Sequence, residues 1–322
     1  MTIFRDLSET RELVDSFTRP AETLFPVSRL HSDKAAENGR WASVVEMGWL
    51  AIGLPEESGG VGLTLIEEAL ASQMFGRHLL SSNYPATLLA ADASLSAGHH
   101  DLGARLLDGS QRAALSARTK SDGAIVAFDA RPGDLLVVIN DAGIDVFESG
   151  EITLHDDVHW GCEVGFAQVA DPLFSVASPD LVAKARLLIA GMLAGIASEC
   201  SERAVEYAKV REQFGQPIGA FQAIKHHCAN MAIAAHAASE LVNFAALSLV
   251  EQVPDSGHLP AAALNLALRA ARDNAGLNIQ IHGGMGFSDE CDAHLFLKAA
   301  RILDAAVGGV DRTRQALIAA PQ

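Results

Sequence analysis

Two long helical patterns meeting at one short turn constrain this chain more than any other feature, and they occupy residues 178 to 250. Ser178-Pro179 is a helix start: a hydroxyl able to cap free N–H groups, then a proline whose ring suits the first helical position. Leu181, Ala185, Leu188, Met192 and Ile196 recur at helical spacing, with Glu and Arg residues on the other face. Gly215 and Pro217 punctuate the end of this pattern. A second runs from Phe221 to about Val250, where Val253-Pro254-Asp255-Ser256-Gly257 breaks it. Helices of ~25–30 residues exceed the usual globular length and suit bundles that also pack across subunit boundaries.

The turn itself reads Arg211-Glu212-Gln213-Phe214-Gly215-Gln216-Pro217-Ile218, with Phe221-Gln222 just beyond. A guanidinium offers a planar fork of donors suited to phosphate oxygens. Phe214 offers a stacking face, and Gln213 and Gln222 both donate and accept. That set suits a nucleotide diphosphate. The plainer reading is that Arg211 pairs with a nearby carboxylate and Phe214 staples the turn. Residue types alone leave both open.

With 322 residues there is room for two or three packed modules. The formal charge of −16, from 24 Lys+Arg against 40 Asp+Glu, argues against nucleic-acid or anionic-membrane binding. An anionic cofactor must then be met by a few placed cations or helix N-termini. Cys162, Cys200, Cys228 and Cys291 are scattered with no C-x-x-C pair, the pattern of reduced thiols in a cytoplasmic protein. Met1-Thr2-Ile3-Phe4-Arg5-Asp6 is not a basic segment leading into an apolar core, so no secretory signal is expected. No uninterrupted apolar run reaches the ~18–20 residues of a membrane span, so a soluble chain is expected.

Residues 1–112 read as helices. Leu7, Leu13, Val14 and Phe17 give one amphipathic face; Trp41, Val44, Val45 and Leu50 give another, ending at Gly53-Leu54-Pro55. Gly59-Gly60-Val61-Gly62 opens a helix through Ile66, Ala69, Leu70, Met74 and Phe75; without a following Lys-Ser/Thr it makes a poor phosphate loop. Leu79 to Leu107 suggests two more helices. Residues 113–176 change texture. Short apolar runs (124–128, 135–139, 144–147) are bounded by Arg131-Pro132-Gly133-Asp134, Asn140-Asp141-Ala142-Gly143 and Glu148-Ser149-Gly150, which predicts a small antiparallel β module. Residues 177–322 read as a helical bundle, with Leu264, Leu268, Ala271, Ala275 and Ile279 as one stripe and Leu295, Leu297, Ile302 and Leu303 as another.

Three ordered motifs carry a resemblance. R-x-x-F-G at Arg211–Gly215, followed by Phe221-Gln222 and Ala229-Asn230-Met231, resembles the signature of the acyl-CoA dehydrogenase family. Gln280-Ile281-His282-Gly283-Gly284-Met285-Gly286-Phe287 is similar to its Q-x-x-G-G-x-G-[YF] turn, and Gly48-Trp49 through Pro55-Glu56-Glu57-Ser58-Gly59-Gly60-Val61-Gly62 to its N-terminal G-W…P-E-x-x-G-G-x-G stretch. The resemblance implies an α+β fold of three parts: an N-terminal helical domain (1–112), a small antiparallel β domain (113–176) and a C-terminal four-helix bundle (177–322).

In that family a glutamate removes the α-proton of an acyl-CoA thioester while the flavin of FAD takes the β-hydride. The family places this base in one of two positions. One is a turn beyond Q-x-x-G-G, which falls here on Ala306-Val307-Gly308-Gly309 with Val307 at the base position; the other precedes an arginine on the helix before R-x-x-F-G, where this chain has Ala185 before Arg186. No catalytic residue is therefore assigned. Asp304 and Asp311 are the nearest carboxylates to the first position, but one helical turn moves a side chain about 5 Å, enough to spoil proton abstraction. The family's flavin-covering T-E-x-x-A-G-S stretch is missing near Leu115-Ser116-Ala117-Arg118-Thr119, and His159-Trp160-Gly161 does not match its W-x-T/S segment.

What is kept matches the family residues that cross a dimer interface to hold the ADP end of the neighbouring subunit's FAD: Arg211, Gln213, Phe214, Gln222, Gln280, Gly283 and Gly284. Keeping that half and losing the other resembles the short, degenerate subunits of α2β2 bacterial acyl-CoA dehydrogenases of steroid CoA-ester degradation. The resemblance implies a complete acyl-CoA dehydrogenase subunit as partner, an acyl-CoA substrate, one FAD at each heterodimer interface, and an electron-transfer flavoprotein or similar acceptor. Arg186 lines a CoA-ester pocket or forms a structural ion pair. His226-His227 point about 100° apart on a helix and His282 and His294 lack partners at ligand spacing, so no metal is expected. Glu199, Glu202 and Glu206 with Arg203 and Lys209 read as a solvated helix face. A self-sufficient homomeric enzyme with an unusual base and a scaffold without flavin contact remain as other readings.

Overall fold

Ser178 caps the longest helix as its residue type dictates, its hydroxyl accepting from Leu181 N at 3.3 Å ahead of Pro179 in the first turn. In the computed structural model, which describes residues 8–31, 37–119, 123–154, 162–168 and 171–319, this helix belongs to a helix–sheet–helix order. The N-terminal helices are α1 (Ser8–Leu24), α2 (Glu37–Glu46), α3 (Leu65–Arg77), α4 (Asn83–Ser96) and α5 (His100–Leu107). Seven strands follow: β1 (Ala113–Arg118), β2 (Ile125–Phe128), β3 (Leu135–Ile139), β4 (Gly143–Glu148), β5 (Ile152–Leu154), β6 (Val164–Ala167) and β7 (Phe174–Ala177). Then come α6 (Pro179–Val210), the two-residue strands β8 (Glu212–Gln213) and β9 (Gln216–Pro217), α7 (Gln222–Val250), α8 (Leu259–His282), α9 (Ala293–Ala306) and α10 (Val310–Ala319). Helices α6 to α9 form the C-terminal bundle, and α3 packs against α6 from the N-terminal side.

Glycine lets α3 and α6 touch at the backbone. A Cβ on Gly76 would lie 1.8 Å from Met192 O and one on Gly195 1.9 Å from Gln73 O. Between α3, α4 and α6 the Lys184 ammonium is buried, 3.0 Å from Glu68 Oε1 and 2.8 Å from Asp92 Oδ2, and Glu68 also accepts from Gly53 N at 3.1 Å. Burial raises the Glu68 carboxyl against the pull of Lys184; burial opposes the Lys184 charge too, yet Glu68 and Asp92 outweigh it and hold the ammonium above its usual value.

The sheet runs β5-β6-β2-β1-β3-β4-β7, and it corrects one expectation: it is mixed, not antiparallel, because β1 and β3 pair in parallel with Leu115 opposite Val137. The reason is local. The outer edge of β2 is taken by β6, so β3 steps over to the free edge of β1, and a strand reached by two reversals runs with the first. Alternation supplies two buried faces: Leu115, Val137, Ile144 and Val146 join the core shared with the helices, and Ala114, Leu136, Val138 and Phe147 fill a second cluster. The Asn140 side chain makes the predicted turn, accepting from Ala142 N and Gly143 N at 2.8 Å each.

Two further expectations change. Helix α2 ends at Glu46, not at Gly53, because Gly48 adopts a left-handed conformation (φ 72°); Trp49 and Leu50 are buried beyond it. The Glu199/Glu202/Arg203 face is only partly solvated: Arg77 pairs with both Glu199 and Glu202, and Arg203 joins Glu199 to Asp292 at 2.8 and 2.9 Å. Farther along, Lys209–Glu206 is the exposed pair expected. Leu7 and His159-Trp160-Gly161 lie outside the described residues. By length and apolar character α6 and α7 pass for membrane spans, although 78% of the most apolar part of α6 is buried in the protein, against 44% for α7.

Candidate functional site

Two regions hold the residues singled out by sequence. The first is the end of the bundle where α6 gives way to α7. Arg211 caps α6, and Ile218 N donates to Arg211 O at 2.7 Å, closing the small β8–β9 hairpin. Phe214 and Gly215 form its tip, both with positive φ (54° and 80°). This left-handed pair matches the hairpin twist and turns the Phe214 ring outward, where it is 92% exposed and edge-on to Phe221 at 6.1 Å. Gln213 Nε2 donates to Glu212 O at 2.8 Å, and Gln222 opens α7.

The Q-x-x-G-G turn comes to the same end. Gly283 stops α8 at φ 61°, and the ring of His282, fixed through Nδ1 to Asn278 O at 2.8 Å, stacks on Tyr207 one turn before Arg211, with centroids 4.1 Å apart. Arg211, Gln213, Phe214, Gln222, Gln280, Gly283 and Gly284 are all exposed. Met285 and Phe287 beside them are 51% and 75% exposed. All seven positions face outward at this end of the bundle.

The second region is the seam of α6 with the α9–α10 turn. Ala185 is fully buried and Val307 is 7% exposed, and neither supplies a titratable group. Arg312 from α10 donates through Nε to Asp141 Oδ1 at 3.0 Å and through Nη1 to Ile139 O at 3.1 Å, while Arg186 reaches the same Asp141 oxygen at 3.9 Å. Burial lowers the Arg186 guanidinium from its ordinary value, Asp141 opposes that, and Arg312 adds to it. Arg186 and the residue after Gly308-Gly309-Val310-Asp311 thus share one acid. Asp141 is the carboxylate that sequence reasoning missed; it lies in a turn whose composition signals only a turn.

The other carboxylates go elsewhere. Asp304 faces a groove with Arg269, Arg272 and Arg301 on the α8 side of α9, and Asp311 is exposed near Arg314. In β1 the Ser116 hydroxyl donates to Ala114 O at 3.2 Å and Arg118 covers the Phe147 ring at 5.2 Å. His226 and His227 are exposed on α7. Among the described residues no group of three or more His, Cys, Asp or Glu side chains is placed to hold a metal ion. All four cysteines are free, and burial pushes the Cys200 thiol up.

Comparison with known proteins agrees with the fold and the motifs. Residues 7–110 match the acyl-CoA dehydrogenase N-terminal domain and residues 175–320 the acyl-CoA dehydrogenase C-terminal domain; neither match covers 111–174. Acyl-CoA dehydrogenase IpdE2 of Mycobacterium tuberculosis is 31% identical over 278 residues, 84% of this chain and 82% of that protein. Acyl-CoA dehydrogenase FadE34 of the same organism is 27% identical over 97% of this chain, which spans 47% of FadE34. Among solved structures, the ChsE4-ChsE5 complex of Mycobacterium tuberculosis superposes with TM-score 0.79 at 20% identity over all of both chains, and the Tcur3481-Tcur3483 steroid ACAD G363A variant with 0.74 at 21% identity over 98% of this chain and 97% of that one. The chain belongs to the acyl-CoA dehydrogenase family, flavin-dependent oxidoreductases acting on acyl-CoA.

Proposed function

We propose that this chain is the cofactor-sharing subunit of a heteromeric FAD-dependent acyl-CoA dehydrogenase, lacking the base itself and lending the ADP-binding half of a shared flavin site to a complete partner subunit. The observation that carries the reading is an asymmetry. Seven residues matching the family's interface contacts to FAD stand exposed at one end of the bundle. Both positions where the family keeps its glutamate hold buried, inert side chains, Ala185 and Val307.

The residues present fit the group. An exposed guanidinium fork, an exposed aromatic ring and glycine backbone free of Cβ atoms suit a pyrophosphate and its adenine. Arg211, Gln213, Phe214, Gln222, Gln280, Gly283 and Gly284 would hold the ADP end, and FAD, when bound, supplies the acceptor for the β-hydride. Arg186 reaches Asp141 at 3.9 Å, the ion-pair alternative for this residue. Outward apolar side chains on the same bundle, Ile233 (67% exposed) and Phe244 (45%) on α7 with Phe214 and Phe287, give the partner apolar surface to cover. By analogy with the heteromeric neighbours, the substrate is a steroid-derived CoA ester and the assembly a cytoplasmic α2β2 tetramer. An electron-transfer flavoprotein or similar acceptor would take the electrons.

Absorbance in the flavin band tests this on the chain purified alone and co-expressed with a complete homologue. A colourless chain and a yellow complex, near one FAD per pair, are expected. A yellow chain that turns over acyl-CoA alone would sink the reading in favour of a self-sufficient enzyme.

A further inference from the structure

Behind the glycine turn, the start of α9 is held by a polar clamp that the shared-site reading leaves unused. Asp292 Oδ1 lies 2.8 Å from His31 Nε2, and Asp292 Oδ2 accepts from Arg203 Nη1 at 2.9 Å. Arg203 also donates through Nε to Glu199 Oε1 at 2.8 Å and lies 5.1 Å over the Phe296 ring. Two residues beyond Asp292, His294 is 9% exposed, and neither of its ring nitrogens has a hydrogen-bond partner among the described residues. Its ring packs edge-on to His31 at 6.3 Å.

Such a group is rare, since buried polar atoms are nearly always paired, and it tolerates one protonation state only. A neutral imidazole leaves two nitrogens unsatisfied; an imidazolium would add a buried charge with no acceptor among the described residues. The charged groups facing it come from every side: Lys298 one turn along α9, Asp289 and Asp292 before the helix, His31 from the short 3-10 turn Val27–His31, and Arg203 of α6 beyond the clamp. Burial lowers the His294 imidazole first, Lys298 and His31 lower it further, and Asp289 and Asp292 only partly oppose them.

We propose that neutral His294 is a positioning residue for the start of α9, which follows the 283–291 turn, and that acidification loosens this junction by forcing a proton onto a buried ring with no acceptor among the described residues. The consequence for flavin rests on the reading of Gly283 and Gly284 as cofactor contacts. The sign follows from linkage. The folded state holds His294 below its unfolded value of about 6.5, so the unfolded chain binds the proton first. The contribution is complete above about pH 6.5 and is lost as pH falls through and below that value.

The test compares the full chain with His294→Leu, which keeps volume and removes the titration, at pH 7.5 and 5.5. The wild type should lose roughly 3 °C more in Tm on acidification than the variant. Amide exchange across 283–295, corrected for intrinsic pH dependence, should accelerate in the wild type alone. Equal acid sensitivity in both proteins overturns the proposal. Should His294→Leu fail to fold, the His294 ring-proton NMR titration of the wild type decides: a midpoint below 6.5 supports the proposal and one at or above it overturns it. In the complex, wild type should release FAD at pH 5.5 and His294→Leu retain it. Acid-sensitive exchange at 283–295 with undiminished flavin would leave the latch standing and overturn the role of Gly283 and Gly284 in the shared site.

Discussion

The hairpin end of the bundle and the α6–α10 seam have been treated in opposite ways by the same sequence. The hairpin carries costly features: a phenylalanine with positive φ, 92% exposed, beside the exposed guanidinium of Arg211. At the seam, buried Ala185 and Val307 hold the two positions where the resemblance places the family's base, and Arg186 and Arg312 share Asp141. On the proposed reading, a partner subunit accounts for the first surface facing solvent. At the seam, a buried alanine and a nearly buried valine are explained by packing. On that reading the contrast separates interface residues from residues that serve the fold.

Substitutions at the packed region should act on stability and leave the interface chemistry alone. The largest effect is expected for Lys184→Ala, which strands Glu68 and Asp92 in the core and should cost about 3–5 kcal/mol at pH 7.5 by chemical denaturation. Because burial already raises the Glu68 carboxyl, the folded variant should take up a proton above the unfolded value of 4.5; part of the loss is recovered on acidification from pH 7.5 towards 5. A variant that stays equally unstable across that range would show that the Glu68 carboxyl does not carry the penalty. Val307→Glu comes next. It places a carboxylate at a site only 7% exposed, where the resemblance puts the family's base; it should cost about 1–3 kcal/mol and add no turnover, alone or in complex. New activity from this one change would erase the distinction drawn between the two regions. Asp141→Asn is the smallest: the acid is 73% exposed, and freeing Arg312 and Arg186 should move stability by less than about 1 kcal/mol.

Much of the fold was legible because its signals are local. Ser178-Pro179, the α8 stripe ending at Gly283, and the Asn140 turn each act within a few residues, and each forms as its residue types demand. Three features were not legible. The parallel β1–β3 pairing depends on which edge β6 occupies, a contact between distant segments. The Lys184 triad and the Arg203–Asp292 clamp join residues far apart in sequence, so charges that read as a solvated face became partly buried ties. Asp141 reads as turn composition until α10 brings Arg312 to it. The candidate positions were named from motifs; their outward exposure came only from the fold.

The central claim is that the exposed hairpin end holds flavin across a subunit boundary. It is tested most directly by the Arg211→Ala/Phe214→Ala double variant, co-purified with a complete acyl-CoA dehydrogenase partner, with FAD per complex read from absorbance. Both side chains are exposed, so the isolated variant should unfold within about 0.5 kcal/mol of the wild type and still assemble. Removing a charge-assisted contact of ~1.5–3 kcal/mol should weaken FAD binding by about 10–100-fold and leave the purified complex mostly colourless. An intact complex that keeps one FAD per pair would contradict the account and make this chain a scaffold without a flavin contact.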